Sequence, residues 1–195
     1  MTVIRVNPDS VRQYASAAQQ QFDAIRVELQ GLVNDATTVR YFGPNSVDFK
    51  NHCGQMASDF GRRLAQDLGQ IAEAVRSSTT AIATSLGGAP ISMSVNGAPI
   101  PLPTVPAGDG SVEIDTSGLE GLKPVVARHI DAISTQIDAH LRNLQNTDWQ
   151  GQAKETAVTA VSGFSNAAKN LASDARTSIT SYIDKQINLV LAGDR

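Results

Sequence analysis

The chain has 195 residues, 41% of them apolar and 18% charged, with a net charge of −3. That composition suffices for one core or two small ones, and weak negative charge with no basic stripe removes the electrostatic basis for nucleic-acid binding. A single cysteine, Cys53, excludes an internal disulfide, and no run reaches the roughly eighteen apolar residues of a membrane span.

The first residues, Met-Thr-Val-Ile-Arg-Val-Asn-Pro, lack a basic stretch followed by an apolar one. The expectation is a soluble chain that, if exported, uses no cleaved signal. Asn7-Pro8-Asp9 then offers an N-cap, a proline at the first helical position and an acid in the first turn. From there Val11, Ala15, Ala18, Phe22, Ile25, Leu29, Leu32 and Ala36 step by four and three alternately. This is an a/d seam, which a lone helix cannot bury. Tyr41-Phe42-Gly43 ends the stretch, and Gly43-Pro44 with Asp48 opens a second helix. Its apolar face runs through Phe49, Cys53, Met56, Phe60, Leu64, Leu68, Ile71, Val75 and Ile82. Cys53 lies on that face, so a buried, inert thiol is expected.

A linker follows, over 85–116. Within 91–102, Ile91-Ser92-Met93-Ser94-Val95 and Ala98-Pro99-Ile100-Pro101-Leu102 alternate apolar and other residues around Asn96-Gly97. Asn-Gly is the strongest short-range signal for a type I′ turn, so a β-hairpin is predicted here. Pairing Val95 with Ala98 sets Met93 opposite Ile100 and Ile91 opposite Leu102, while Pro99 and Pro101 fall where no ladder bond is lost.

The third helix is expected after Ser117-x-x-Glu120, which has the form of a capping box, with a restart or kink near Lys123 because Pro124 cannot donate a backbone bond. Its seam is Leu119, Val126, Ile130, Ile133, Ile137, Leu141 and Leu144, interrupted by Lys123 and His140. Trp149-Gln150-Gly151 turns the chain into a fourth helix, patterned by Val161, Phe164, Leu171, Ile179, Ile183, Ile187 and Val190.

The second half repeats the first. Trp149-Gln150-Gly151 lies 108 residues after Tyr41-Phe42-Gly43, and the same offset sets Val6 on Ile114 and Asp23-Ala24-Ile25 on Asp131-Ala132-Ile133. Two copies of a helix-turn-helix therefore make an all-α fold of two helical hairpins, over 1–84 and 117–195, forming a four-helix bundle with a small β-hairpin in the linker.

Two helices joined at Trp-x-Gly in units of about one hundred residues resemble the WXG100 (ESAT-6-like) proteins exported by type VII (ESX) secretion systems. Trp149-Gln150-Gly151 matches the motif, and Tyr41-Phe42-Gly43-Pro44-Asn45-Ser46 with Phe49 resembles the variant corner of longer actinobacterial members, with Tyr in place of Trp. The resemblance covers both halves and leaves only the linker outside. It implies antiparallel pairing of the hairpins, here as an intramolecular pseudo-dimer and so a monomer, acting through protein-protein contacts. It also implies a partner in the secretion machinery or a co-secreted protein. The expected location is outside the cell or in the envelope without a cleaved signal, the alternative being the cytoplasm. The family's export signal, Tyr-x-x-x-Asp/Glu, has its nearest match at Tyr182-x-x-x-Gln186, with glutamine in place of the acid. An antiparallel arrangement requires the linker to run about 45 Å, the length of a helix of some thirty residues, and about twenty extended residues suffice.

No catalytic constellation emerges. His129 and His140 are eleven residues apart, about 16 Å along a helix, and His52 has only Cys53 beside it. No nucleophile elbow, phosphate loop or zinc motif occurs, and Gly87-Gly88 and Gly108-Asp109-Gly110 stand in the linker. Asp131, Asp138 and Asp174 fall on polar faces. The chain is accordingly expected to be no enzyme and to hold no metal or cofactor. Two other classes compete with a secretion role: a membrane-active helical pore-former, disfavoured by low cationic charge, and a cytosolic adaptor or chaperone with a helix-binding groove.

Overall fold

The computed structural model describes residues 3–98, 100–101, 104–105 and 110–193. Among these residues four helices form: α1 over Pro8–Thr38, α2 over Pro44–Ser85, α3 over Thr116–Asn146 and α4 over Gln152–Gly193. Four two-residue strands accompany them: β1 at Arg5–Val6, β2 at Tyr41–Phe42, β3 at Glu113–Ile114 and β4 at Trp149–Gln150. Shifted by 108, every element of the first copy lands to the residue on its counterpart in the second. The helices pack on one another as two antiparallel hairpins in an all-α four-helix bundle.

The seams read from the sequence are the faces that pack. Every α1 seam position from Val11 to Ala36 is buried, as are Leu119, Val126, Ile130, Ile133, Ile137 and Leu144 of α3. Burying a side chain of this size stabilises by about 1.5–3 kcal/mol, so the seams outweigh the surface polar contacts in holding the helices together.

The compact units draw on both copies. Unit 1 comprises Met1–Ala24, Arg62–Ala98 and Thr135–Lys169; unit 2 comprises Ile25–Gly61, Pro99–Ser134 and Asn170–Arg195. Each thus gathers the start of one hairpin's first helix with the corner of the other hairpin. The core of unit 1 is built from Val11, Tyr14, Val75, Ile91, Leu144, Trp149 and Val161 among others.

Helix ends follow cap chemistry. The Asn7 side-chain oxygen accepts from the backbone N–H groups of Asp9 and Ser10, at 3.1 and 3.4 Å. For α3 the cap is Asp115 and not Ser117. The Asp115 carboxylate accepts from the Ser117 hydroxyl at 2.7 Å and from the Gly118 N–H at 3.0 Å, and these bonds hold it below the usual carboxylate range. The aspartate takes precedence because it sits at the counterpart of Asn7 and its charge faces the positive helix end. α2 closes on Gly87 at φ 81°, with Gly88 N–H donating to the Ala83 carbonyl at 2.8 Å.

One local expectation narrows and another changes. α3 runs as one helix from Thr116 to Asn146 with Pro124 inside it, so no restart occurs at Lys123. Leu122 and Val126, buried on either side of the proline, hold the chain in register through the missing bond. The strand pairs lie at the helical corners, and the described residues of 91–102 form none. A type I′ turn needs positive φ at both central residues, and neither Asn96 nor Gly97 has it. The linker instead bonds to the helices. Gln19 clasps the Asn96 backbone, donating to its carbonyl at 3.0 Å and accepting from its N–H at 2.7 Å, while Thr80 accepts from the Ile91 N–H at 3.1 Å. Gly97 lies so close to Ala65 that a Cβ there would stand 2.3 Å from the alanine methyl. Ile91 and Ile100 are both buried, so helix docking removes more apolar surface from water than a two-stranded ribbon would. The Pro99 and Leu102 positions of the expected hairpin lie outside the described residues, as do Gly108 and Asp109.

Candidate functional site

The two corners are the most strongly patterned places in the molecule. Gly43 and Gly151 have φ of 110° and 125°, values that side-chain-bearing residues rarely adopt, and this explains the glycine of each aromatic-x-Gly triplet. The residues before them form strands. In unit 1, β4 pairs antiparallel with β1, setting Trp149 opposite Val6 and Gln150 opposite Arg5. In unit 2, β2 pairs with β3, setting Tyr41 opposite Ile114 and Phe42 opposite Glu113. Each corner is thereby stitched to the strand that leads into the other copy's first helix.

Alternation in these strands buries one residue and exposes the next. Trp149 is fully buried and Tyr41 nearly so, whereas Gln150 and Phe42 are exposed. The aromatic of the motif is therefore core, and its neighbour is surface. The Tyr41 hydroxyl donates to Gln186 at 2.6 Å, while the Trp149 indole N–H has no partner among the described residues. Lys50 donates to the Tyr41 carbonyl at 3.0 Å, rests 5.3 Å over the Phe42 ring, and is lowered in pKa by its burial.

The corners carry opposite charges. Arg5 pairs with Asp148 at 2.7 Å, and Arg40 pairs with Glu113. At the 108 offset Arg5 corresponds to Glu113 and Arg40 to Asp148. The first copy supplies both cations and the second both anions, so either corner is attractive only when unlike copies meet.

Tyr182 and Gln186 both sit on α4 in unit 2. The Tyr182 ring stacks on Phe49 at 5.7 Å and on His52 at 5.5 Å between centroids. Gln186 is buried and committed to Tyr41.

Two histidines are placed in ways the sequence did not disclose. In unit 1, His140 is buried and lies 3.3 Å from the Tyr14 hydroxyl, and its other ring nitrogen has no partner among the described residues. Burial alone lowers its pKa to about 4 and raises that of Tyr14. Their counterparts in unit 2 are Leu32 and Leu122, both buried. In unit 2, His129 lies over Gly31 with one ring nitrogen 2.7 Å from Glu28 and the other 2.9 Å from Asp35. The carboxylates face opposite ring nitrogens and do not converge on one point. Among the described residues no group of three or more His, Cys, Asp or Glu could hold a metal ion. Cys53 is buried and its thiol is pushed up to about 12 by that burial. Asp138 and Asp131 are paired with Lys169 at 2.9 Å and Arg176 at 3.8 Å. No helix among the described residues is long and apolar enough to cross a membrane.

No protein-family model matches the chain, and neither does any curated protein or solved structure.

Proposed function

We propose that the chain is a tandem WXG100-like protein that works with a type VII secretion system, as an exported substrate or as the partner of one. One observation carries this reading. An aromatic-x-Gly corner, with its aromatic buried and its glycine at positive φ, recurs at a spacing of 108 between helices of matching length. In this reading the protein acts through its surfaces and not through chemistry at a site, and the secretion apparatus or a co-exported protein is its partner.

Tyr182 and Gln186 are weak candidates for an export signal, because one is stacked between two rings and the other is buried on Tyr41. A receptor reads side chains that it can reach. This supports a signal carried by a co-exported partner, and it favours the partner-dependent form of the proposal. The test is export in a host with and without the secretion ATPase. The uncleaved chain is expected in the culture filtrate or envelope only when the ATPase is present. Tyr182→Phe, which keeps the stacking ring, is expected to leave export unchanged. A strictly cytosolic protein in the native host would overturn the reading.

A further inference from the structure

The repeat offset exposes one place where the two units differ greatly in side-chain volume. In unit 2 the rings of Phe49, Tyr182 and His52 form a continuous stack between α2 and α4. Their counterparts in unit 1 are Ala157, Ala74 and Ala160, three methyl groups where unit 2 has three rings. A groove of about 480 Å3 opens there, lined by these alanines together with Asp67, Ile71 and Phe164. Its size falls within the roughly 300–1,000 Å3 of sites that take organic side chains and ligands. Ile71, half-buried, corresponds to Ile179, which is buried.

We propose that this groove is a docking site for a helical segment of a partner protein that presents aromatic side chains beside a basic residue. The fold itself specifies the aromatic character, because the same helix pair in unit 2 is completed by stacked rings. A groove between two helices takes an amphipathic helix, with anchors one turn apart. Charge specifies the rest. Asp67 is the one ionisable residue lining the groove, and among the described residues it has no hydrogen-bond or ion-pair partner. Its counterpart in the filled unit is Ala175, so the carboxylate accompanies the opening. A carboxylate at the edge of an apolar trough selects lysine or arginine on the incoming helix. A second copy of this chain does not fit that description. Among the described residues its exposed large apolar side chains are aliphatic except Phe42, which lies in a corner strand under Lys50. The proposal holds whether or not the protein is exported.

The test is methyl NMR on the full chain labelled at alanine methyls. The probe is a synthetic amphipathic helical peptide carrying Phe, Tyr one turn later and Lys a turn beyond. A control peptide has Leu at both aromatic positions. Ring currents are expected to move the Ala74, Ala157 and Ala160 methyls upfield, saturating together, with the leucine peptide about tenfold weaker. Asp67→Asn is expected to weaken the aromatic peptide about fivefold, the size of a partly exposed ion pair. The transplanted stack, Ala74→Tyr with Ala157→Phe and Ala160→His, is expected to abolish the shifts. Ala160→His alone, at an exposed helix position, is expected to fold as the parent does and to weaken binding. Absence of saturable shifts up to millimolar peptide would overturn the proposal, as would equal binding of the leucine peptide. The same methyls shifting with protein concentration alone would overturn it in favour of a second copy.

Discussion

Acidification is expected to destabilise the protein through His140. In the fold its burial, at 3% exposure, brings its pKa from 6.5 to about 4. The unfolded chain takes up a proton below about 6.5 while the folded ring stays neutral, so the unfolded state binds more protons between those two values. Stability from this group is therefore complete above pH 6.5, falls as the pH drops towards 4, and levels off below. At 1.36 kcal/mol per pH unit, the loss amounts to about 2 kcal/mol at pH 5 and about 3 kcal/mol at pH 4. Carboxylates titrate in the same range, so the informative quantity is a difference between proteins. His140→Leu, with Tyr14→Leu to remove the stranded hydroxyl, installs the Leu32–Leu122 pair of unit 2. Urea unfolding of parent and variant at pH 7 and pH 4 is expected to show the gap moving by about 3 kcal/mol in the variant's favour. A gap constant to within about 0.5 kcal/mol would refute the argument, since the titration of a buried neutral histidine could not then be contributing.

Trp149→Ala, which empties a fully buried site among Val11, Leu144 and Val161, is expected to cost about 3–5 kcal/mol in denaturant unfolding. Tyr41→Phe is expected to cost about 1–3 kcal/mol because Gln186 stays buried without its donor. Gly31→Ala, favoured by helix propensity alone by about 1 kcal/mol, is expected to destabilise instead. The new methyl would stand 2.8 Å from the His129 ring, and thermal melting of the variant checks the sign. Native Cys53 is expected to resist iodoacetamide at pH 8 and to react on unfolding, as followed by mass spectrometry.

Helix spacing and the corners were legible in the sequence because both rest on local rules. A 3.5-residue apolar period places one face inward whatever the partner, and glycine after an aromatic marks a reversal. The Asn96-Gly97 pair signals a hairpin that the linker does not adopt, because turn propensity is a local term and burial of Ile91 and Ile100 outweighs it. Ser117-x-x-Glu120 fits the four-residue capping pattern, whereas comparison with Asn7 at the repeat offset identifies Asp115 as the cap. The His129 arrangement joins residues 94 and 101 positions apart, which no spacing rule connects. Gly31 between Glu28 and Asp35 was the available hint, a small residue midway between two acids on one helical face. The exchange of Arg5 and Arg40 for Glu113 and Asp148, and of Phe49 for Ala157, was fully readable once the offset of 108 was known.

The charge exchange at the corners bears on how the gene can change. Tandem duplications are prone to recombination that overwrites one copy with the other. Here such conversion would place arginine on both sides of each corner, or acid on both sides, in the geometry now occupied by Arg5–Asp148 and Arg40–Glu113. It would also give both helix pairs the same lining, either two rings with an alanine or one ring with two alanines, in place of one filled and one open. The halves have become lock and key within one reading frame, so homogenised descendants would lose the complementarity that keeps each half facing its unlike neighbour.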